Sequence, residues 1–343
     1  MRRNRWQAGR VFAALLALGI GVASGDAVEA SVAPVPPAER GLPAQTAELW
    51  FEVSKTAMTL EGPIFNRQGE LLFVDVFGGQ VLKVSPDRRL TRVFGPSELH
   101  PVGLALHRDG RIFLATVGDF RSGAVVAIRP DGSGLTDIVP ATAGFLPDEI
   151  VFDARGGFYF SDLKGGTGRP DGGVYYVPAE GQAPSAVLTG LAAANGLGLS
   201  PDGKTLWVTE YAAGRVQRVR LGGPGLLAPF GAMAVYQITG ASADSLRVDT
   251  AGNVYVALNE QGRILVLNPL GLPVGQILLP GRDSGRNLGV TSLALKPGTR
   301  EIYIVASDGA AGGGAAIFRA RALAPGLPLP SESDVRLNQE GPR

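Results

Sequence analysis

Four oxygen-bearing side chains recur at one register of this 343-residue sequence: Glu61, Asp148, Asn195 and Asp244 each lie eight residues before a turn glycine, namely Gly69, Gly156, Gly203 and Gly252. The same register gives Val102 before Gly110 and, with a turn one residue shorter, Thr291 before Gly298. Taken singly, an Asp or Asn at a strand end satisfies nearby backbone N–H groups or starts a turn. Three carboxylates brought to one place behave differently, because they repel one another and are costly to ionise together without a cation between them. Hard oxygen donors suit Ca²⁺, which takes roughly six to eight of them and leaves positions for water or substrate. Mg²⁺ demands a stricter octahedron, and Zn²⁺ favours nitrogen or sulfur ligands that this set lacks. Such an ion with open positions can polarise a carbonyl while a neighbouring carboxylate moves protons, which is the chemistry of hydrolysis. Asp244 and Asp148 are the candidates for the proton role. Ser245 could add a ligand oxygen, although strand alternation would turn its side chain away from that of Asp244.

The elements that must position these residues are visible as a repeat. A turn glycine followed by a β-rich strand occurs six times, in "QGELLFVDV", "DGRIFLATV", "GGFYFSDL", "DGKTLWVTE", "AGNVYVAL" and "GTREIYIVAS", with glycines spaced by 41, 46, 47, 49 and 46 residues. An alternating strand precedes each glycine, as in "GLGLSPD", and a third follows, as in "GGVYYVPAEG". A fourth strand follows in five repeats, and the sixth ends at "AAIFRARA" without one. "ELWFEVS", at 48 to 54, is a strand with no repeat of its own and is the natural donor. The expectation is an all-β, six-bladed β-propeller whose last blade is closed by the N-terminal strand, since radial closure hides the sheet edges that separate hairpins would expose. In that fold the first strand of each blade lies nearest the axis, and the equivalent residues at its start form a ring.

The rest of the chain narrows the reading. Arg2, Arg3, Arg5 and Arg10 precede the apolar run "VFAALLALGIGVA" and the small-residue stretch "ASG", which together predict a secretory signal over residues 1–25 and a periplasmic or secreted protein. The run is too short for the roughly 20 residues of a spanning helix, and no membrane association is expected after the signal is removed. Its removal leaves 28 basic against 31 acidic side chains, with no basic run, so nucleic acid is not an expected partner. Zero cysteines exclude disulfides and thiol chemistry. The histidines, His100 and His107, are read as structural, and Asp75, Asp162 and Glu210, which end second strands, as blade-to-blade hydrogen-bonding groups. Gly-x-Ser-x-Gly, His-Glu-x-x-His and phosphate-loop motifs are absent. Residues 26–44 read as a Pro-rich extended linker, 45–325 as the propeller, and 326–343 as a polar tail.

The segments "LEGPIFNRQGELLFVDVFGGQVLKVSP", "DEIVFDARGGFYFSDLKG", "ANGLGLSPDGKTLWVTE" and "PVGQILLPGRD" resemble the senescence marker protein, gluconolactonase and luciferin-regenerating enzyme family. The resemblance runs from about residue 48 to about residue 320. It implies a calcium-dependent lactonase that opens a small-molecule lactone, with Glu61, Asp148, Asn195, Asp244 and Ser245 as metal ligands and Asp244 as proton donor or acceptor. It also points to a second, structural calcium near "FRSGA" and "DIVPATAGFLPD". Pro140 and Ala143, however, stand where that site uses an acidic and a hydroxyl side chain, leaving Ser122 and Gly123 without a carboxylate. Two rivals stay open: a non-catalytic calcium-containing propeller that binds a ligand or protein, and a related metal-dependent aryl-esterase or phosphoesterase.

Overall fold

The computed structural model describes residues 33–179, 181–308 and 313–329, and the predicted signal lies outside them. The repeat units fold as six antiparallel sheets arranged as a β-propeller. Their inner strands are Leu60–Phe65, Pro101–Leu106, Pro147–Phe152, Ala194–Leu199, Ser242–Val248 and Gly289–Leu295, and each touches the next around a closed ring, the last against the first. Strand Glu48–Ser54 pairs antiparallel with Ala315–Arg321 and supplies the fourth strand of the sixth blade, as the unpartnered "ELWFEVS" predicts. Trp50 docks edge-on against Tyr303, ring centroids 5.0 Å apart, so aromatic packing reinforces this closure.

Near-continuous Val, Leu, Ile and Phe runs make the second strands buried on both faces, and the core lies between the blades. The inner strands depart from regular pairing at one place. In all six blades the pairing of inner and second strand shifts by one residue at or next to the ring register, with an extra residue on the inner strand. A β-bulge bends its strand and re-aims side chains. Here it falls at the ring residues and interrupts regular alternation across Asp244 and Ser245.

Glycine follows the ring position in three blades, at Gly62, Gly103 and Gly196, where the neighbouring strand crosses close by. A Cβ on Gly103 would lie 2.0 Å from the carbonyl oxygen of Asp148, and one on Gly196 would lie 2.6 Å from the backbone nitrogen of Leu246.

Both ends of the expected propeller are longer than the composition implies. Residues 33–44 are not an extended linker: a 3-10 turn at Pro37–Glu39 buries Glu39, whose Oε1 accepts from Tyr236 at 2.5 Å and whose Oε2 lies 2.5 Å from Arg263 Nη2. Strand Ala44–Thr46 then adds a parallel fifth strand to the fifth blade. A buried carboxylate paired with a buried guanidinium holds a segment that Pro content alone marks as loose. At the other end, Gly326 bridges to Asp249 and Pro297, and Leu327, Pro328 and Leu329 line the far end of the channel rather than starting a free tail. Among the described residues no helix is long and apolar enough to cross a membrane.

Candidate active site

The ring register delivers Glu61, Asp148, Asn195 and Asp244 to one mouth of the channel, each from a different inner strand. Asn195 and Asp244 are buried, at 5% and 3% exposed, while Glu61 and Asp148 are half-buried. Burial and neighbouring carboxylates raise the proton affinity of all three. Burial, then the charges of Asp244, Asp148 and Glu149, lift Glu61 well above the usual carboxylate range. Asp148 is lifted likewise by burial and by Asp244 and Glu149. Asp244 is pushed up to about 8, chiefly by burial, against the hydrogen bonds it receives from Asn259, Asn195 and the backbone of Ser245. Ser245 is itself buried in the bulge beside Asp244.

Hydrogen bonds between blades fix this arrangement. Thr209 Oγ1 donates to the carbonyl of Asp244 at 2.6 Å and accepts from the N–H of Gly196 at 2.7 Å, stitching the fourth blade's ring position to the fifth. Thr291 Oγ1 donates to the carbonyl of Leu60 at 2.5 Å, which spends its hydroxyl on the junction of the sixth and first blades. Asp75, Asp162 and Glu210, expected to bond between blades, serve their own blades instead. Asp75 accepts from Gly78 and Gln80, Asp162 from Leu146, and Glu210 from Ala192, Arg215 and Gln217. A side chain at the end of a second strand faces its own entry loop, which has N–H groups to satisfy.

Four further residues shape the site. Asn259 Nδ2 donates to Asp244 Oδ2 at 3.1 Å and sits 3.3 Å from the hydroxyl of Tyr211. Burial, then the charge of Asp244, pushes the Tyr211 hydroxyl well above the usual phenol range. Glu149, buried one residue after Asp148, pairs with Arg247 at 2.6 Å, so the inner wall carries a fourth carboxylate with its own counter-charge. Asn259 was legible in principle, since every second strand ends on a polar residue: Asp75, Thr116, Asp162, Glu210, Asn259 and Ser307. Glu149 and Arg247 come from different blades and carry no common spacing.

Among the described residues no three His, Cys, Asp or Glu side chains form a ready-made metal group. The donor chemistry at the mouth nevertheless fits a hard cation. The Oδ1 of Asn195 is buried without a hydrogen-bond partner, an arrangement that is costly unless something positive or protic meets it, and the carboxylates around it are held against their preference for charge. The second-ion neighbourhood is organised by the chain itself. The Ser122 hydroxyl donates to the Ala141 carbonyl at 3.2 Å, Gly123 N–H donates to the Phe145 carbonyl, and Pro140 precedes a 3-10 turn that ends at Ala143. His100 is bonded to the Val76 carbonyl and packed on Phe120, while His107 lies 2.8 Å from Asp109 between Phe113 and Phe152. A cavity of about 440 Å³ opens at the opposite end of the channel, between Pro63, Phe152, Arg247 and Leu327, away from the carboxylate ring.

A six-bladed propeller with an acid-lined channel mouth is the class that fold and site define. The chain belongs to the SMP-30/gluconolactonase/LRE-like family, whose model matches residues 60–307. It is 44% identical over 303 residues to lactonase drp35 of Staphylococcus saprophyticus, covering 87% of this chain and 94% of that one. It is 41% identical over 286 residues to lactonase drp35 of Staphylococcus aureus strain USA300, covering 82% and 88%. Among solved structures, a gluconolactonase from Xanthomonas campestris superposes with a TM-score of 0.66 at 19% identity over 88% of this chain and 98% of that one. The calcium-binding regucalcin of Agrobacterium tumefaciens superposes with a TM-score of 0.68 at 15% identity over 83% and 98%. At these identities the superpositions speak for the fold.

Proposed function

We propose that the protein is a calcium-dependent lactonase that hydrolyses a cyclic ester at the carboxylate-lined mouth of its channel. The observation that carries this reading is the convergence of Glu61, Asp148, Asn195 and Asp244 at one mouth in a chain 44% identical to a lactonase. Glu61, Asp148, the Oδ1 of Asn195, Asp244 and Ser245 would hold the cation. When bound, it would draw electron density from the ester carbonyl.

Asp244 carries the proton. Its carboxylate takes the proton of the water whose oxygen attacks the carbonyl carbon, and it returns that proton to the ring oxygen when the acyl C–O bond breaks, which yields the hydroxy acid. Asn259 fixes the rotation of that carboxylate through Oδ2, and Thr209 fixes its backbone. Glu149, neutralised by Arg247, keeps the wall behind the ring ordered. The signal over residues 1–25 lies outside the described residues; its basic start and apolar run support a proposal of export to the periplasm or medium.

The test is purified protein on a panel of sugar lactones, aliphatic lactones and aryl esters, with and without chelator, beside Asp244→Ala. Turnover of a lactone that disappears with chelator, returns with Ca²⁺ and falls at least about 100-fold in the variant is expected. Cation-induced thermal stabilisation without turnover on any member would assign the protein to non-catalytic binding instead.

A further inference from the structure

In antiparallel four-stranded blades, the turns from first to second strand and from third to fourth strand all lie at the end of the ring opposite Asp244. Most of the large apolar side chains that the described residues leave exposed are gathered there. Leu90, Leu135, Leu270 and Leu272 sit in or beside third-to-fourth-strand turns of the first, second and fifth blades, and Leu226 and Leu227 follow the equivalent turn of the fourth. Phe77 is the one such side chain at the carboxylate end among the described residues. Surface leucines scattered singly need no explanation, but concentration on one face does.

The fourth blade carries the strongest part of this face. Its outer hairpin, Arg215–Gly223 and Leu226–Gln237, ends in an edge strand on which Phe230 is 98% exposed at φ 52°, a costly backbone for an aromatic residue. The hairpin is anchored, because Gly225 N–H donates to the hydroxyl of Tyr159 in the third blade at 2.9 Å. Residues 211–238 contain no Asp or Glu, and Arg218 and Arg220 lie nearer the hairpin's turn than Arg215, which pairs with Glu210 at the other end.

The two ends of the ring also differ in charge. Arg67, Arg108, Arg155, Lys204, Arg220 and Arg321 belong to the far end, where the turn carboxylates Asp87, Asp109, Asp131, Asp153, Asp202 and Asp249 are engaged by donors of their own turns, and Glu70 and Glu301 pair with Lys83 and Lys296. Asp75, Asp119, Asp148, Asp162, Asp244 and Glu260 crowd the other. Exposed Leu and Phe beside arginines are the composition of a surface that lies on anionic lipid.

We propose that the far end of the propeller docks on a membrane surface containing anionic lipid, with Phe230, Leu270 and Leu272 entering the headgroup layer, the arginines meeting phosphates, and the carboxylate mouth facing solution. A second copy is a poorer occupant, since a two-fold contact would set the same basic face against itself. Such docking needs no spanning segment.

The chain has no cysteine, so Leu270→Cys and Phe77→Cys each give one labelling site on the full-length protein, with an environment-sensitive dye reading its surroundings. With vesicles of phosphatidylcholine plus phosphatidylglycerol, the dye at position 270 should shift to the blue and the dye at 77 should not. Vesicles of phosphatidylcholine alone, or high salt, should abolish the shift. In co-sedimentation, Phe230→Asp combined with Leu272→Asp should lower partition at least about tenfold, while secondary structure by circular dichroism stays unchanged. Since residues 1–32 are common to all these proteins, binding through them would leave the double variant unaffected, and that result overturns the proposal. So does an equal shift at both positions, or a concentration-dependent dimer, seen by sedimentation velocity, that the double variant loses.

Discussion

Asp244 gathers more of the site's physics than any other side chain: it is held by Asn259 and Thr209, and burial, with the charge of Glu149 added, makes its own charge costly. A carboxyl whose folded pKa is raised binds its proton more tightly in the folded state than in the unfolded one. Its contribution to stability is therefore present at low pH and is lost as pH rises from the unfolded value near 3.8 through the folded value of about 8. Glu61 and Asp148 move in the same direction. In chelator, the melting temperature should accordingly fall between pH 5 and pH 8, and added Ca²⁺ should raise it more at pH 8 than at pH 5. Calorimetry across that range with both additions is the check; stabilisation by Ca²⁺ that is equal at the two pH values would separate the cation from these carboxylates. At this scale the sequence was informative where a residue shared a register with its equivalents. Glu61, Asp148, Asn195 and Asp244 are legible from spacing because each blade repeats the same start. Glu149 and Arg247 are not, since their pairing depends on two blades of the ring coming face to face.

Five of the six inner strands do two jobs, packing against the next blade and presenting a polar side chain near their start, while the second blade has Val102 there. The one-residue bulge reconciles them, freeing the ring residue from the pleat while the rest of the strand stays buried. Strand alternation, applied to the sequence without the bulge, turns Ser245 away from Asp244; no spacing in the sequence marks the extra residue, because strand and turn lengths absorb it. Close approach follows from the same geometry. Gly103→Ala places a methyl group 2.0 Å from the Asp148 carbonyl, so the second and third blades must separate. Urea denaturation should show a loss of about 1–3 kcal/mol, with Asp148 displaced and Ca²⁺ affinity lowered alongside. A variant as stable as the parent would mean that the inner strands do not meet as closely as described. The glycine repeat that reveals the blades is legible for a related reason, since turns at positive φ accept little else, as at Gly69 and Gly203.

At the scale of the whole molecule, fold class and closure were readable because a strand without a repeat and a repeat without a strand complete each other. The clasp at Glu39 and the strap at Leu327–Leu329 were not, because they depend on single long-range contacts within segments that look like linker and tail. Strand Glu48–Ser54 packs Trp50, Phe51 and Val53 against the sixth blade. Removing residues 1–57 takes away that strand together with the Glu39 clasp, and the melting temperature should drop by at least about 10 °C, since burial of three such side chains is worth several kcal/mol. A drop of only a few degrees would show that six open blades stand without closure.

The shared sixth blade also sets an order of events during synthesis. Residues 48–54 leave the ribosome early and must wait for Ala315–Arg321 before they have a partner. Until nearly the last strand has emerged, the chain is a row of blades with two open edges, and the carboxylate ring, which needs blades one, three, four and five around one axis, is not yet assembled. A chain of this design completes its carboxylate ring only at the end of its making, when one of the first strands to emerge and nearly the last one finally pair.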